Sequence, residues 1–145
     1  MDSLYVVVVG CGRLGSHLAN LLSRAGHRVV VIDRNEQAFA SLATEAFSGF
    51  RVEGDASEPA VLRRAKAEKA DLLIAATRED NVNLMVAQVA RRVFGVKHVM
   101  ARVYDARREE LYQEAGLETI NPTRLAGEAF FRLVHRALET GGGAK

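Results

Sequence analysis

Residues 4–15 read Leu-Tyr-Val-Val-Val-Val-Gly-Cys-Gly-Arg-Leu-Gly, a β-branched run that passes directly into G-x-G-x-x-G. With no polar alternation, Leu4–Val9 predicts a strand buried on both faces of a parallel sheet. A helix is expected from about Arg13 to Ala25, with Leu14, Leu18, Leu21, Leu22 and Ala25 on one stripe and Gly26 as its stop. The glycines therefore fall at a strand-to-helix turn, and each has a physical reason there. Gly10 allows the tight turn, Gly12 lets a pyrophosphate approach the backbone, and Gly15 lets the helix pack close to the sheet. The first turn of that helix offers free N–H groups and its positive dipole end to phosphates.

Outward from this turn the same beat repeats. Strands are expected at Arg28–Ile32, Phe50–Glu53, Asp71–Ala76, Lys97–Val103 and Leu117–Ile120. Helices are expected at Glu36–Ala46 (N-cap Asn35), Glu58–Glu68 (N-cap Ser57, Pro59 in the first turn), Thr77–Phe94, Asp105–Glu114 and Thr123–Glu139. Thr77 with Asp80 three residues on is close to a capping box. Six strands alternating with helices predict an α/β, Rossmann-like, doubly wound parallel sheet of order 3-2-1-4-5-6, closed by a C-terminal crossover helix. A crevice follows outside the carboxyl ends of strands 1 and 4, where the order reverses. One domain covers residues 1–140, and the glycine-rich tail 141–145 is expected to be disordered.

Candidate ligand contacts gather at the strand ends. Gly10, Gly12, Arg13, Leu14 and Gly15 form the loop, and Arg13 beside the helix start can meet a phosphate bidentately. Asp33 lies 18 residues after Gly15, near the roughly 20 expected of a carboxylate that accepts ribose hydroxyls. Its neighbour Arg34 can attract a 2′-phosphate that Asp33 would repel, so NADP ranks behind NAD(H) and ATP/ADP. Asp55, followed by Ala56, reads equally as an acceptor for an adenine amino group or as a turn residue. Ala76 and Thr77 end a strand with small residues, leaving room for a ligand or simply for close packing with Thr77 as a cap. Arg102 ends the fifth strand with a weaker version of the case for Arg13. Cys11 in the loop is either a redox-active thiol or a small filler.

Composition removes other classes. In 145 residues, 20 basic and 18 acidic side chains leave a net charge of +2 with no basic tail or acidic arm, so nucleic acid is not an expected partner. A single cysteine makes neither an intramolecular disulfide nor a cysteine-based zinc site. No apolar run approaches the roughly 20 residues of a membrane span, and the N-terminus lacks signal-peptide order, so no direct membrane insertion is expected. The four histidines show no metal-ligand spacing, and no nucleophile system stands out.

Together these residues resemble the N-terminal nucleotide-binding domain of the RCK/KTN (TrkA-N) family, found in regulatory subunits of Trk and Ktr potassium uptake systems and in gating domains of potassium channels. The likeness spans about Leu4 to Glu139. It is carried by Val6–Gly15, Val31-Ile32-Asp33, Val52–Ala56, Leu73–Thr77 followed by Asn81, Ala101-Arg102 and Gly116–Pro122. The resemblance implies a ligand-gated, non-enzymatic switch that binds NAD(H) or ATP/ADP. In it Gly10, Gly12 and Gly15 cradle phosphates, Arg13 neutralises them, Asp33 holds ribose and Asp55 reads adenine. It also implies a cytoplasmic homodimer formed through the crossover helix, an octameric ring in longer subunits, and a membrane-embedded potassium transporter or channel as partner. Thr123 stands where the family commonly has a Glu that helps hold an interfacial cation, so that site is not expected. The usual C-terminal ligand-sensing domain has no counterpart in this sequence. The competing reading is an NAD(P)-dependent oxidoreductase or an NADH/NAD redox sensor, which would use the same crevice.

Overall fold

The computed structural model describes residues 2–43, 45 and 47–144, the last three by backbone alone. Its centre is β1 (Tyr5–Val9), flanked in parallel by β2 (Arg28–Asp33) and β4 (Leu72–Ala75), with Val6 opposite Val29 on one side and Leu72 on the other. Adding β3 (Phe50–Glu53), β5 (His98–Arg102) and β6 (Glu118–Ile120) completes one parallel sheet of order β3-β2-β1-β4-β5-β6, as the alternating pattern predicts. The period of two along β1 divides the core between the faces. Val7 and Val9 pack with Leu62, Leu73 and Val86, whereas Val6 and Val8 pack with Ala19, Val31 and Phe39. These four valines are at most 2% exposed, and burying each contributes about 1.5–3 kcal/mol relative to leaving it in water.

The helices differ from expectation in informative ways. α1 (Arg13–Arg24) turns Gly15, Ser16, Ala19 and Ser23 to the sheet, not the leucine stripe, and leaves Leu21 exposed. The close approach that Gly15 permits leaves room for small side chains only. The expected helix 36–46 is a 3₁₀ segment, Glu36–Ser41, capped by Asn35, whose side chain accepts from the Gln37 N–H. Asn20 of α1 ends it: its amide donates to the Ser41 carbonyl and accepts from the Ala43 N–H, replacing the bonds a longer helix would make. Thr44 and Ala46 lie outside the described residues.

The expected helix 58–68 is α2 (Pro59–Arg64) followed by a 3₁₀ turn, Ala67–Lys69, with Lys66 at φ 56° breaking the run. Ser57 is not its cap, because both its N–H and hydroxyl are committed to Asp55. α3 spans Asp80–Arg92, so its N-cap is Glu79, two residues after the expected Thr77, and the Thr77 hydroxyl donates to Asn83 instead of capping it. α4 spans Ala106–Glu114, within the expected range, with Asp105 as its N-cap, whose side chain accepts from the Arg107 N–H.

The last element, α5 (Pro122–Ala144), carries helical backbone through the glycines where the sequence implies a disordered tail; Lys145 lies outside the described residues. From Thr123 to Gly141 every residue of α5 is exposed. Its root is held by a buried carboxylate: Glu109 of α4 pairs with Arg124 at 2.8 Å and accepts from Thr119 and Asn121, while Asn121 accepts from the Arg124 N–H. No helix among the described residues is long and apolar enough to cross a membrane.

Two glycine substitutions should separate packing from helix propensity. A Cβ at Gly15 would lie 1.7 Å from the Gly10 carbonyl oxygen, whereas one at Gly127 in α5 meets nothing within 4 Å. Gly15→Ala should destabilise by about 1–3 kcal/mol or more, and Gly127→Ala should stabilise by about 0.5–1 kcal/mol. Chemical denaturation of the two variants checks both signs, and equal effects would refute the close-packing account.

Candidate functional site

The carboxyl ends of β1 to β5 open onto a cavity of about 700 Å³, within the range of small-molecule sites. Of the twelve residues singled out in the sequence, ten line it. Gly10, Gly12 and Arg13 come from the turn after β1, Asp33 and Arg34 from the end of β2, and Asp55 and Ala56 from beyond β3. Ala76 and Thr77 follow β4, and Arg102 ends β5. Leu14 and Gly15 do not line the cavity. Leu14 is half-buried on α1, and Gly15 packs against the Gly10 carbonyl, so both act behind the loop.

The loop is wedged into place. Gly10 sits at φ +101°, donates its N–H to the Ile32 carbonyl at 2.7 Å, and leaves no space for a side chain against the Ala76–Thr77 peptide. Around Gly12 the reverse holds, since a Cβ there would meet nothing within 4 Å and the backbone stands open to approach. Gly12 is also the N-cap residue of α1, so no side chain caps this helix, and its first turn holds no acidic residue. The positive end of the helix thus faces the cavity without a counter-charge of its own.

Asp33 does more than the sequence implies. Oδ2 accepts from the Cys11 N–H at 2.7 Å and Oδ1 from the Asn35 N–H at 2.8 Å, so the carboxylate ties the glycine turn to the exit of β2. Each oxygen keeps a lone pair for a hydroxyl donor. Asp55 accepts both the Ser57 N–H (2.9 Å) and its hydroxyl (2.7 Å) on Oδ1. Those bonds, with the charge of Arg34, hold its carboxyl below the usual range and keep it ionised at neutral pH. The turn reading and the acceptor reading of Asp55 are therefore compatible.

The β4–β5 end of the cavity is net cationic: Arg78 and Arg102 line it with Glu79, Arg13 stands at the glycine turn, and the Arg102 guanidinium stacks on the Tyr104 ring at 4.1 Å. Burial lowers the Arg102 pKa, and the charge of Arg78 adds to that effect against the opposing pull of Asp80. Among the described residues the Arg102 Nε is a buried donor with no partner, a feature that calls for an acceptor. Arg78, Glu79, Asn35 and Tyr104 line the cavity without having been singled out in the sequence. The rule placing ligands at strand carboxyl ends covers all four positions, but nothing in their residue types distinguishes them from ordinary loop residues.

Comparison with known proteins bears on the family and the fold. Residues 6–122 match the TrkA-N domain. A Trk system potassium uptake protein TrkA from Streptomyces coelicolor is 42% identical over 129 residues, covering 89% of this chain and 57% of the relative. The chain thus spans little more than half the length of that relative. Among solved structures, the TrkA-N domain of the Escherichia coli inner membrane protein YbaL superposes with a TM-score of 0.80 at 21% identity, covering 91% of this chain and 97% of that one. GsuK bound to ADP gives 0.77 at 22% identity, covering 92% and 34% respectively.

Cys11 is 1% exposed, and burial, reinforced by the Asp33 carboxylate and opposed by Arg51, pushes its thiol up to about 11. The neutral thiol is therefore favoured in the fold. Its stabilising contribution is complete below the ordinary thiol value and is lost as pH rises towards the raised one. At pH 8 the folded protein should resist iodoacetamide while the denatured chain alkylates fully, read by intact-mass spectrometry. Rapid labelling of the folded form would restore the redox reading of Cys11.

Proposed function

Because the chain belongs to the TrkA-N domain family, we propose that it binds an adenine nucleotide, NAD(H) or ATP/ADP, and acts as a regulatory module without catalytic turnover for a membrane-embedded potassium transporter or channel. The observation that carries this reading is the polarity of a single cavity. Hydrogen-bond acceptors from Asp33 and Asp55 stand on the β2–β3 side, the uncapped helix start with Arg13 stands at the glycine turn, and Arg78 and Arg102 stand on the β4–β5 side. Ribose hydroxyls and an adenine amino group are donors suited to the acceptors, and phosphates are anions suited to the helix start and the arginines. The shared fold of ADP-bound GsuK supports the adenine-nucleotide class, and the TrkA relative supports the potassium-uptake setting.

In this reading Gly12 and the first-turn N–H groups of α1 receive phosphates, Arg13 and Arg102 neutralise them, and Asp33 holds the ribose. Regulation follows from differential affinity, since a nucleotide shifts the assembly only as far as it binds one state better than another. The assembly is a cytoplasmic homodimer, or an octameric ring in longer subunits, formed through α5 and peripheral to the membrane through its partner. Leu125, Phe130, Phe131, Leu133, Val134 and Leu138 are each 48–69% exposed on that helix, an apolar surface of the kind interfaces cover.

Two measurements test the proposal. In a thermal-shift panel of NAD⁺, NADH, NADP⁺, ATP, ADP and AMP, a ligand at a hundredfold over its Kd should add about 2.7 kcal/mol; a panel with no response would remove the nucleotide reading. The wild type should prefer ADP to 2′-deoxy-ADP by about tenfold, the scale of a hydrogen bond to a charged group. Asp33→Ala should erase that preference even though it also loosens the glycine turn. For the interface, Phe130→Asp with Phe131→Asp should convert a dimer to a monomer in sedimentation velocity, and a wild type already monomeric at high concentration would refute it.

A further inference from the structure

The first turn of α3 carries two polar side chains, three residues apart, that serve the loops more than the helix. Asp80 Oδ1 accepts from the Tyr104 N–H at 2.8 Å, and Oδ2 from the Asp105 N–H at 2.9 Å. Asn83 is 0% exposed and uses its whole amide. Oδ1 accepts from the Thr77 N–H (2.9 Å) and hydroxyl (2.6 Å), and Nδ2 donates to the carbonyls of Thr77 and Arg102, both at 3.0 Å. It occupies the buried stripe of α3 with Val86, Ala87 and Ala90, where an apolar side chain would be the ordinary choice. A fully satisfied amide there fixes one backbone geometry. What it fixes is the separation of two strand exits, β4 at Thr77 and β5 at Arg102, which carry Arg78, Arg102 and Tyr104 to the cationic end of the cavity.

We propose that Asn83, seconded by Asp80, is the positioning residue for phosphate recognition, a clamp that holds the exits of β4 and β5 so that Arg102 and Arg78 receive the anionic part of the ligand together. The inference rests on the nucleotide reading above and adds to it a residue that does not line the cavity. Two guanidinium groups held at one end, one with an unpartnered Nε, form an arrangement that an anion completes. The clamp maintains that arrangement against the mutual repulsion of the two charges. Asp33 and Asp55, on the far side of β1, are not bonded to it. Loss of the clamp should therefore weaken binding of the phosphates and spare the nucleoside.

The test is calorimetric titration of ADP and of adenosine into the wild type, Asn83→Asp, Arg102→Ala and the double variant. Asn83→Asp keeps the size and removes both donors. It should cost ADP about tenfold in affinity, the scale of one charged hydrogen bond, and adenosine less than about twofold. The double variant should lose less than the sum of the two single losses, keeping only the part of the Asn83→Asp loss that passes through Arg78, because residues that act as one unit do not add. Equal losses for both ligands in a variant with the wild-type circular dichroism spectrum, or additive losses, would overturn the clamp. Should Asn83→Asp fail to fold, Asp80→Asn, which removes one loop acceptor from a half-buried position, is held to the same criteria. A wild type that binds neither ligand overturns the nucleotide reading and this inference together; one that binds both, with variants indifferent to phosphate, overturns the clamp alone.

Discussion

The contact between Gly15 and the carbonyl of Gly10 is the constraint from which the site is built. With a hydrogen in place of a side chain, α1 begins immediately above the end of β1, and its first turn reaches the place where β1 and β4 diverge. Any Cβ would push the helix outward and draw its positive end away from the cavity. The same closeness explains why α1 buries glycine, serine and alanine while its leucines stand at the flanks. Helix dipole, open Gly12 backbone and small-residue packing are three results of one steric fact.

The cavity is organised as a gradient of charge across the sheet. Asp33 and Asp55 stand on the β2–β3 side with Arg34 beside them, Arg78 and Arg102 on the β4–β5 side with Glu79, and Arg13 at the glycine turn between the two. Three of these charges are held in place before a ligand arrives, while Arg13 and Arg78 are exposed. Asp33 braces the turn, Asp55 braces its own loop, and Arg102 lies stacked and half-buried. A site held this way loses little conformational freedom when it fills, which favours affinity without new contacts.

Much of this was legible in the order of residues. The unbroken valines of β1 and the beat of strands and helices lead to the sheet order, because right-handed crossovers leave few alternatives. Ten of the twelve residues chosen line the cavity, since strand carboxyl ends are fixed once the strands are known. What the sequence hid were side-chain hydrogen bonds that reach beyond the local turn. Asn20 truncates the 3₁₀ segment from 21 residues away, Asn83 draws Thr77 off its capping role, and Asp80 serves a loop 24 residues on. Thr77 and Asp80 fit their local reading as cap and box, and other partners in the fold overrode it. Asn83 did leave a trace, a lone amide in an otherwise apolar stripe.

The manner in which α5 is attached has a mechanical consequence. The helix has 23 residues, about 34 Å at its regular rise, and among the described residues the side chains that grip it belong to one end, through Glu109, Asn121 and Arg124. That makes it a cantilever with a pivot next to the strand that adjoins β5. A tilt of about ten degrees at the pivot would sweep the free end through about 6 Å. Displacements too small to register at the sheet thus become large at the far end of the rod.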